Sequence, residues 1–265
     1  MSGQGRSMDT FRLDIWGRPK YIFIILIIYY NFSICSGAMM PSPNSSGRCQ
    51  VDVAYDQLAR RIVYMDYSPG QRLEEKQLMT DLQLGRTPIR EALLRLHADM
   101  IVESRPKSGY FVRPITLQSI RAAFEALYLL EGGLAELAVK NECTRQIESM
   151  RRTNIQMNEH VQKNTVRDLV EANETFHAYM AQCTRNEYLI QALARVRTEI
   201  KRLSYLSFSQ DMDPEHSLQA HYQSVLHEHE AMLQALQKRQ PETLNQLLTT
   251  HIQTFQQRIL RTMMS

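Results

Sequence analysis

The chain has 265 residues, of which 43% are hydrophobic and 22% are charged, and this composition excludes an extensively disordered protein. That length allows one large domain or two small ones with sizeable cores. The formal net charge of +3 is too small to indicate a nucleic-acid partner by itself. The four cysteines have no metal-binding CxxC spacing and are too sparse for a disulfide framework, so we expect reduced thiols and a cytoplasmic protein.

Residues 1–50 form an N-terminal extension and linker whose character is ambiguous. The run YIFIILIIYY follows Arg18 and Lys20 and precedes small residues, as in a secretory signal. Polar residues interrupt the segment 21–38 before about 20 apolar residues accumulate, which disfavours a membrane span. Translation of upstream DNA, with the true start at Met39 or Met40, explains the same composition. We expect the misplaced start, with a membrane anchor and an export signal as the alternatives.

Residues 51–116 carry the signals of a small domain with helices and a β-hairpin. Helical spacing of apolar residues predicts a first helix in VAYDQLARRIV, and Pro69 and Gly70 then turn the chain. A second helix is predicted in EEKQLMTDLQL, and a break at Gly85 leads into a third helix with Pro88 in its first turn. Two β-prone segments, MIVES and YFVRPI, flank RPKSG. This order predicts a winged helix-turn-helix of three helices and a β-hairpin wing.

Positive charge is concentrated at the third predicted helix and the wing. Residues 86–113 include six basic and three acidic side chains, whereas residues 117–265 include 16 basic and 17 acidic ones. Arg86 and Arg90 are four residues apart and share a helix face. In a helix-turn-helix the second helix enters the major groove, where arginine is the best bidentate donor to guanine. We therefore predict DNA contacts by these arginines and by Arg105 and Lys107 at the wing tip, although exposed arginines are commonly only solvated charges.

These segments resemble the winged helix-turn-helix of the GntR family of bacterial transcription regulators, through PGQRLEEKQL, RTPIREAL and PKSGYFV. The resemblance implies a sequence-specific DNA-binding regulator, expected to be a repressor, and not an enzyme. It implies that the DNA contacts come from Lys76, Arg86, Thr87, Arg90, Arg105, Lys107 and Gly109. Two positions depart from the family pattern. Gly85 replaces the usual serine and removes a side-chain N-cap, and Met100 occupies a turn position that is usually glycine.

Residues 117–265 show helical periodicity and no convincing strand. The pattern predicts helices over approximately 117–140, 144–163, 165–183, 187–206, 215–239 and 241–263. We therefore expect an all-α bundle of six or seven helices that binds the effector and dimerises, and a mainly α chain as a whole.

Three histidines of this bundle are candidate metal ligands. Asn173 and His177 are four residues apart and face the same way, whereas His227 and His229 cannot both point at one site. If the last two helices are antiparallel, His229 and His251 lie at comparable heights. Three imidazoles from three helices suit a divalent metal with positions left open for water or ligand. From spacing alone, ordinary polar histidines remain the stronger interpretation.

The segments ANETFHAYMAQCTRNEYL, EHEAMLQAL and LTTHIQTF resemble the signatures of the FCD effector domain of the FadR-like group. The resemblance implies a divalent metal, expected to be zinc, held by Asn173, His177, His229 and His251. It also implies that the metal holds a small organic acid in the central cavity. Leu127 stands where the family commonly has an arginine, so this chain lacks one carboxylate partner and an acidic effector is left open.

The leading hypothesis is a cytoplasmic, homodimeric regulator that binds an inverted-repeat operator and responds to a small-molecule effector. A metal-dependent enzyme is one alternative, but it needs a general base beside the ion. Only Glu228 and Glu230 are near the candidate ligands in sequence, without an HExxH motif. A membrane-tethered DNA-binding sensor is the other alternative, and it depends entirely on residues 21–38 being genuine.

Overall fold

The computed structural model describes residues 49–209 and 218–264. The N-terminal extension and the ambiguous segment 21–38 lie outside the described residues, so the alternatives stated for them stay open. Within the described ranges, none of the helices combines the length and the apolar character needed to cross a membrane.

The first part of the described chain is a winged helix-turn-helix, as the sequence predicted. Its helices are α1 (Gln50–Val63), α2 (Glu75–Leu82) and α3 (Arg86–Ala98), and its strands are β1 (Arg72–Leu73), β2 (Val102–Arg105) and β3 (Gly109–Val112). Strand β3 lies between β1 and β2 and is antiparallel to both. The hairpin β2–β3 is the predicted wing, whereas β1 was not predicted because two residues are too few to show a periodicity.

The apolar stripe of α3 decides which way its arginines face. Ile89, Leu93 and Leu96 are fully buried and pack with Leu58 and Ile62 of α1. Because the stripe is turned inward, the opposite face at the start of α3 is left in solvent. The packing that folds the winged helix-turn-helix, called the head from here on, therefore also exposes the N-terminal turn of α3.

Both ends of α3 show the consequences of the unusual residues in the sequence. Gly85 is the N-cap and supplies no side-chain hydrogen bond, as predicted. At the other end, Met100 has φ +63°, its amide donates to His97 O, and the amide of Ile101 donates to Leu96 O. This is the Schellman arrangement, in which the left-handed residue is usually glycine. Met100 thus makes the glycine turn with a side chain in the left-handed region.

The second part consists of six helices in the described residues. They are α4 (Leu117–Ala138), α5 (Thr144–Lys163), α6 (Val166–Gln182), α7 (Glu187–Ser209), α8 (Leu218–Gln237) and α9 (Pro241–Met264). The predicted bounds agree with these to within three residues at each end. Phe124, Phe176, Leu203, Leu233 and Leu248 come from five different helices and are buried in one core. The mainly α fold predicted from the sequence is therefore confirmed.

Helix α7 joins the bundle to the head. Nη2 of Arg202 donates to the backbone carbonyl of Arg113 at 2.7 Å, just after the wing, and only 1% of the Arg202 side chain is exposed. Nearer the start of α7, Nε of Arg195 lies 3.4 Å from Oδ1 of Asp99, which follows α3. Arg195 and Arg202 lie two turns apart on α7. They thus contact the first and the last residues of the segment 99–113, which follows α3 and contains the wing.

Helix α6 makes a second set of contacts with the head. The hydroxyl of Tyr64, which follows α1, donates to the carboxylate of Glu171. The other oxygen of Glu171 lies 2.7 Å from Nζ of Lys201, and Arg167 donates to Asp66 at 2.8 Å. These contacts fix the end of α1 against the bundle helix that also carries Asn173 and His177.

Candidate DNA-binding surface and metal centre

The predicted DNA-reading residues of the helix-turn-helix are exposed. The side chains of Arg86 and Arg90 are 66% and 57% exposed, and Thr87 between them is also exposed. Lys76 is exposed in the first turn of α2. Pro88 and Ile89 of the same turn of α3 point inward and are buried, so the helix start is anchored while its outer face is free of packing.

A carboxylate that the sequence analysis did not single out connects the two arginines. Nε of Arg90 donates to Oε1 of Glu75 at 3.0 Å, and Nε of Arg86 donates to Oε2 at 3.2 Å. Burial pushes the pKa of Glu75 upward, but the hydrogen bonds from Arg90 and Arg86 outweigh it and keep the pKa below its ordinary value. Glu75 is therefore ionised at neutral pH and shared by both guanidinium groups.

The three predicted wing residues lie at the exposed tip of the hairpin. Arg105 lies over the ring of Phe111, 4.2 Å from its centroid, and its Nη2 donates to Glu103 at 3.3 Å. Lys107 has φ +61° and Gly109 has φ +91°. Proline followed by a residue with positive φ is typical of a type II turn, here closed by the amide of Ser108 donating to Arg105 O. The turn projects Lys107 into solvent, while Arg105 is partly engaged within the hairpin.

The three predicted histidines converge in the centre of the bundle. His177, His229 and His251 come from α6, α8 and α9, and candidate ligand atoms of all three lie within 4.8 Å of one another. Their ring centroids are 5.2 to 5.3 Å apart, so the rings form a nearly equilateral triangle. His227 is exposed on another face of α8, as the two-residue spacing predicted. This arrangement could hold a metal ion.

Hydrogen bonds outside the triangle orient two of the rings. Nδ1 of His229 lies 3.0 Å from Oδ1 of Asn154, and Nδ1 of His251 lies 2.6 Å from Oε2 of Glu228. Both oxygens accept, so each Nδ1 carries the proton and each Nε2 keeps its lone pair. Nε2 of His229 is buried and has no hydrogen-bond partner among the described residues. A buried acceptor without a partner is unfavourable, and a metal ion would satisfy it.

Burial keeps the imidazoles of His177 and His229 neutral. It lowers the pKa of His177 well below the ordinary value, and the positive charge of Arg197 lowers it further. Burial is also the main reason why the pKa of His229 is lowered, followed by the neighbouring His251 and Arg197. A metal ion requires a neutral imidazole, so both rings are competent ligands at neutral pH without losing a proton.

The fourth predicted ligand, Asn173, lines the same cavity as His177 and His251. Its Nδ2 donates to Oε1 of Glu174 at 3.3 Å. The cavity has a volume of about 30 Å³, and apolar side chains form much of its wall: Leu127, Ile200, Phe208, Val225, Ile252 and Phe255. His177 and His251 therefore stand at one side of a small internal cavity.

Arg197 also lines the cavity and was not predicted from the sequence. Its positive charge affects which ligand charge the cavity can accept. Its guanidinium group lines the cavity, donates to Glu131, and donates to Glu174 at 3.4 Å. Glu131 is buried, and burial raises the pKa of Glu174 even though Arg197 lowers it. The positive charge of Arg197 is thus already compensated by two carboxyl groups.

His221 also lines the cavity and was not predicted. Burial, with a further contribution from Arg258, lowers its pKa to about 3, so the ring is neutral at physiological pH. Its centroid lies 5.2 Å from that of Phe208. A single histidine in a helix gives no spacing signal, and only its place in the folded bundle, beside Phe208, shows that it faces the cavity.

Two known protein families match the two parts of the chain. Residues 50–112 match "Bacterial regulatory proteins, gntR family", and residues 122–254 match the "FCD domain". The first match contains α1–α3 and the wing, and the second contains the three histidines and Arg197.

Individual relatives support the same assignment. The chain is 24% identical over 199 residues to the HTH-type transcriptional repressor RspR of Escherichia coli K12, covering 75% of this chain and 84% of RspR. It is 23% identical to the HTH-type transcriptional regulator YdhC of Bacillus subtilis, covering 74% of this chain and 85% of YdhC.

The fold is similar to that of E. coli McbR/YncC, with a TM-score of 0.68, 18% identity, and coverage of 78% of this chain and 95% of McbR. The chain therefore belongs to the GntR family of bacterial regulatory proteins and carries an FCD effector domain behind its DNA-binding head, which makes it a transcription regulator and not an enzyme.

Proposed function

We propose that this regulator is a cytoplasmic repressor whose affinity for an inverted-repeat operator is set by a small effector bound at a metal ion in the bundle. One observation carries the regulatory part of the proposal. The unpartnered Nε2 of His229 belongs to a triangle of three histidines, two of which line an internal cavity of the bundle. The name of RspR supports repression as the direction of control.

On the DNA side, we assign base reading to Arg86, Thr87 and Arg90. Their position in the first two turns of α3 matches the part of a recognition helix that reaches base edges in the major groove. Lys76, Arg105, Lys107 and Gly109 are assigned to the sugar–phosphate backbone and the minor groove, where contacts position the protein without reading sequence.

The first prediction concerns the operator. A single head offers too few base contacts for tight specific binding, whereas a two-fold dimer presents two heads symmetrically. Duplexes selected from a random pool by the purified full chain should therefore contain an inverted repeat with half-sites about one helical turn, or a multiple of it, apart. Footprinting should show protection of both half-sites. Protection of one asymmetric half-site by a monomer contradicts the dimer and the proposed mode of binding.

The second prediction isolates a phosphate contact at the wing tip. Lys107→Asn removes the charge, and asparagine tolerates the positive φ of this position, whereas alanine would be strained there. If Lys107 meets a phosphate, the affinity should fall equally for operator and unrelated DNA, and the log–log salt slope should decrease by about 0.9. Lys163→Asn in the bundle is the control and should change neither quantity. A loss confined to the operator would instead assign Lys107 to base reading.

For the metal centre, we assign zinc, with His177, His229 and His251 as ligands through ring nitrogens and Asn173 through its amide oxygen. Three imidazoles favour zinc over the harder, oxygen-preferring ions such as magnesium. When bound, the ion supplies a Lewis-acid centre for one oxygen of the effector. Asn154 and Glu228 act through His229 and His251, because their hydrogen bonds hold the two rings in the ligating tautomer.

The effector that fits this cavity best carries one anionic group and an apolar body. All four assigned ligands are neutral, so the charge of the ion is not compensated by its own ligands. Leu127 provides no second cation, and Arg197 is already paired with Glu131 and Glu174. The hydroxyls of Ser204 and Thr254 donate to carbonyls of their own helices, so neither proton is available to a ligand.

A further inference from the structure

We propose that Glu75 is a positioning residue for base reading, which holds Arg86 and Arg90 in a fixed orientation before DNA is bound. This inference rests on the proposed function of the two arginines. Glu75 begins α2, and its two oxygens are divided between the arginines, one for each Nε. Because the two arginines lie one helical turn apart on α3, a single carboxylate bridges them across the turn between the helices.

Glu75 restrains the two arginines but leaves their Nη groups available for DNA. A guanidinium group has five N–H donors, and Glu75 takes only the one on Nε. Among the described residues, no other hydrogen-bond acceptor engages Arg86 or Arg90. The outer Nη groups, which can bond guanine O6 and N7 end-on, therefore stay in solvent at the start of α3. A restrained side chain loses less conformational entropy when it binds, which favours correctly placed base contacts.

The negative charge of Glu75 has two opposite effects on DNA binding, and the two can be measured separately. A carboxylate beside the DNA surface repels phosphates, so Glu75 weakens binding to every sequence alike. If it also orients the arginines, it strengthens binding only where guanines meet them. Removing its charge should therefore raise the affinity for unrelated DNA and lower the preference for the operator at the same time. A residue that only stabilises the fold would not separate these two quantities.

The test compares Glu75→Gln with Glu74→Gln in the full chain. Glutamine at position 75 keeps one acceptor oxygen but presents an NH₂ group to the second arginine, so the shared hydrogen bonding is lost. Glu74 is the matched control, because it precedes Glu75, is 63% exposed, and lies 3.9 Å from Arg72 rather than from α3. Binding is measured by titration with a duplex selected by the wild-type chain and with a scrambled duplex, at several salt concentrations.

For Glu75→Gln, the ratio of operator to scrambled affinity should fall by about tenfold, the size of one bidentate contact. Both variants should show a salt slope steeper by up to about one unit, but Glu74→Gln should keep the wild-type ratio. Replacing operator guanines with 7-deazaguanine removes the N7 acceptor, and this should weaken wild type and Glu74→Gln more than Glu75→Gln. Thermal unfolding identifies any variant whose loss comes from the fold.

The outcomes separate this inference from the function on which it rests. If wild type itself does not distinguish operator from scrambled DNA, the proposed base reading by α3 is wrong. If wild type discriminates and Glu75→Gln discriminates equally well, base reading stands and the positioning role of Glu75 is overturned. An equal loss of discrimination in Glu74→Gln would also overturn it, because charge alone would then explain the effect.

Discussion

Arg86→Ala and Arg90→Ala are each expected to remove most of the discrimination between operator and unrelated DNA while leaving the fold intact. Each change deletes donors to base edges, and a good bidentate pair contributes about 1–3 kcal/mol of discrimination, or roughly 5- to 150-fold in affinity. The proposed two-fold dimer presents each arginine twice, so there the loss should double in free energy. Both side chains are more than half exposed, so little packing is lost with them.

Arg95 on the same helix provides the matched control. Its Nη1 donates to Asp52 at 2.6 Å, and its guanidinium lies 4.5 Å from the ring centroid of Tyr55, so it faces α1 rather than the start of α3. Arg95→Ala should lower the melting temperature slightly and leave discrimination unchanged. Titrations with the selected and scrambled duplexes measure the difference. Undiminished discrimination in both Arg86→Ala and Arg90→Ala would move base reading to another surface.

The exposed arginine pair could be predicted from sequence, but its carboxylate partner could not. The apolar stripe Ile89–Leu93–Leu96 fixes the face of α3 that is buried, and this places Arg86 and Arg90 outside. Glu75 meets them from 11 and 15 residues away, across the turn between two helices. Such a contact depends on how α2 and α3 cross, and no helical periodicity encodes that. Met100 was the opposite case, since the sequence analysis already placed it at a turn position that is usually glycine, and the structure shows a left-handed backbone there.

The second large effect is expected at the histidine triangle. His229→Ala should reduce the bound divalent metal from about one ion per chain to nearly none, because it deletes the ligand atom that is buried and unpartnered in the described structure. His227→Ala should keep the metal, since that ring is exposed on another face of α8. Elemental analysis of the purified variants measures the contrast directly, and it depends on no knowledge of the effector.

Metal removal should also lower stability. An ion that binds only the native state contributes about 2.7 kcal/mol when its free concentration is 100 times its Kd, so chelation should lower the melting temperature of wild type and of His227→Ala. His229→Ala should be insensitive to chelator. Because His229 is buried and stacked on Phe176, with centroids 3.7 Å apart, its removal also disturbs the core. His251→Ala, at a ring that is 12% exposed, repeats the test where less packing is lost.

Three results test whether the histidine triangle holds a metal ion and binds the effector. Equal metal content in His229→Ala and His227→Ala would reduce the triangle to ordinary buried histidines. Metal lost from His229→Ala and His251→Ala, with DNA binding retained, would support a separate effector centre. Thermal shifts with short monocarboxylates and dicarboxylates then test the effector: stabilisation by monocarboxylates with apolar tails, abolished by chelator, is expected, and a preference for dicarboxylates would contradict the proposed single anionic group.

The proposed metal centre was less predictable from sequence than the exposed face of α3. The bounds of six helices follow from their apolar periodicity, and the i, i+4 spacing correctly placed Asn173 and His177 on one side of α6. The partners that orient the rings had no such signal, because Asn154 and His229 are 75 residues apart. Arg197 looked like any other arginine of an amphipathic helix. Its burial between two carboxyl groups is a property of the assembled bundle.

The position of α7 limits how freely the two halves of this regulator can be recombined. Arg197, Ile200 and Ser204 face the cavity of the bundle, while Arg195 and Arg202 on the same helix contact the segment that follows α3. A chimera that takes its head from a relative would still offer Arg202 a backbone carbonyl, since every residue has one. It would have to bring its own acid for Arg195 and its own hydroxyl donor for Glu171. Biosensor designs that exchange heads should therefore graft these partner residues along with the reading helix.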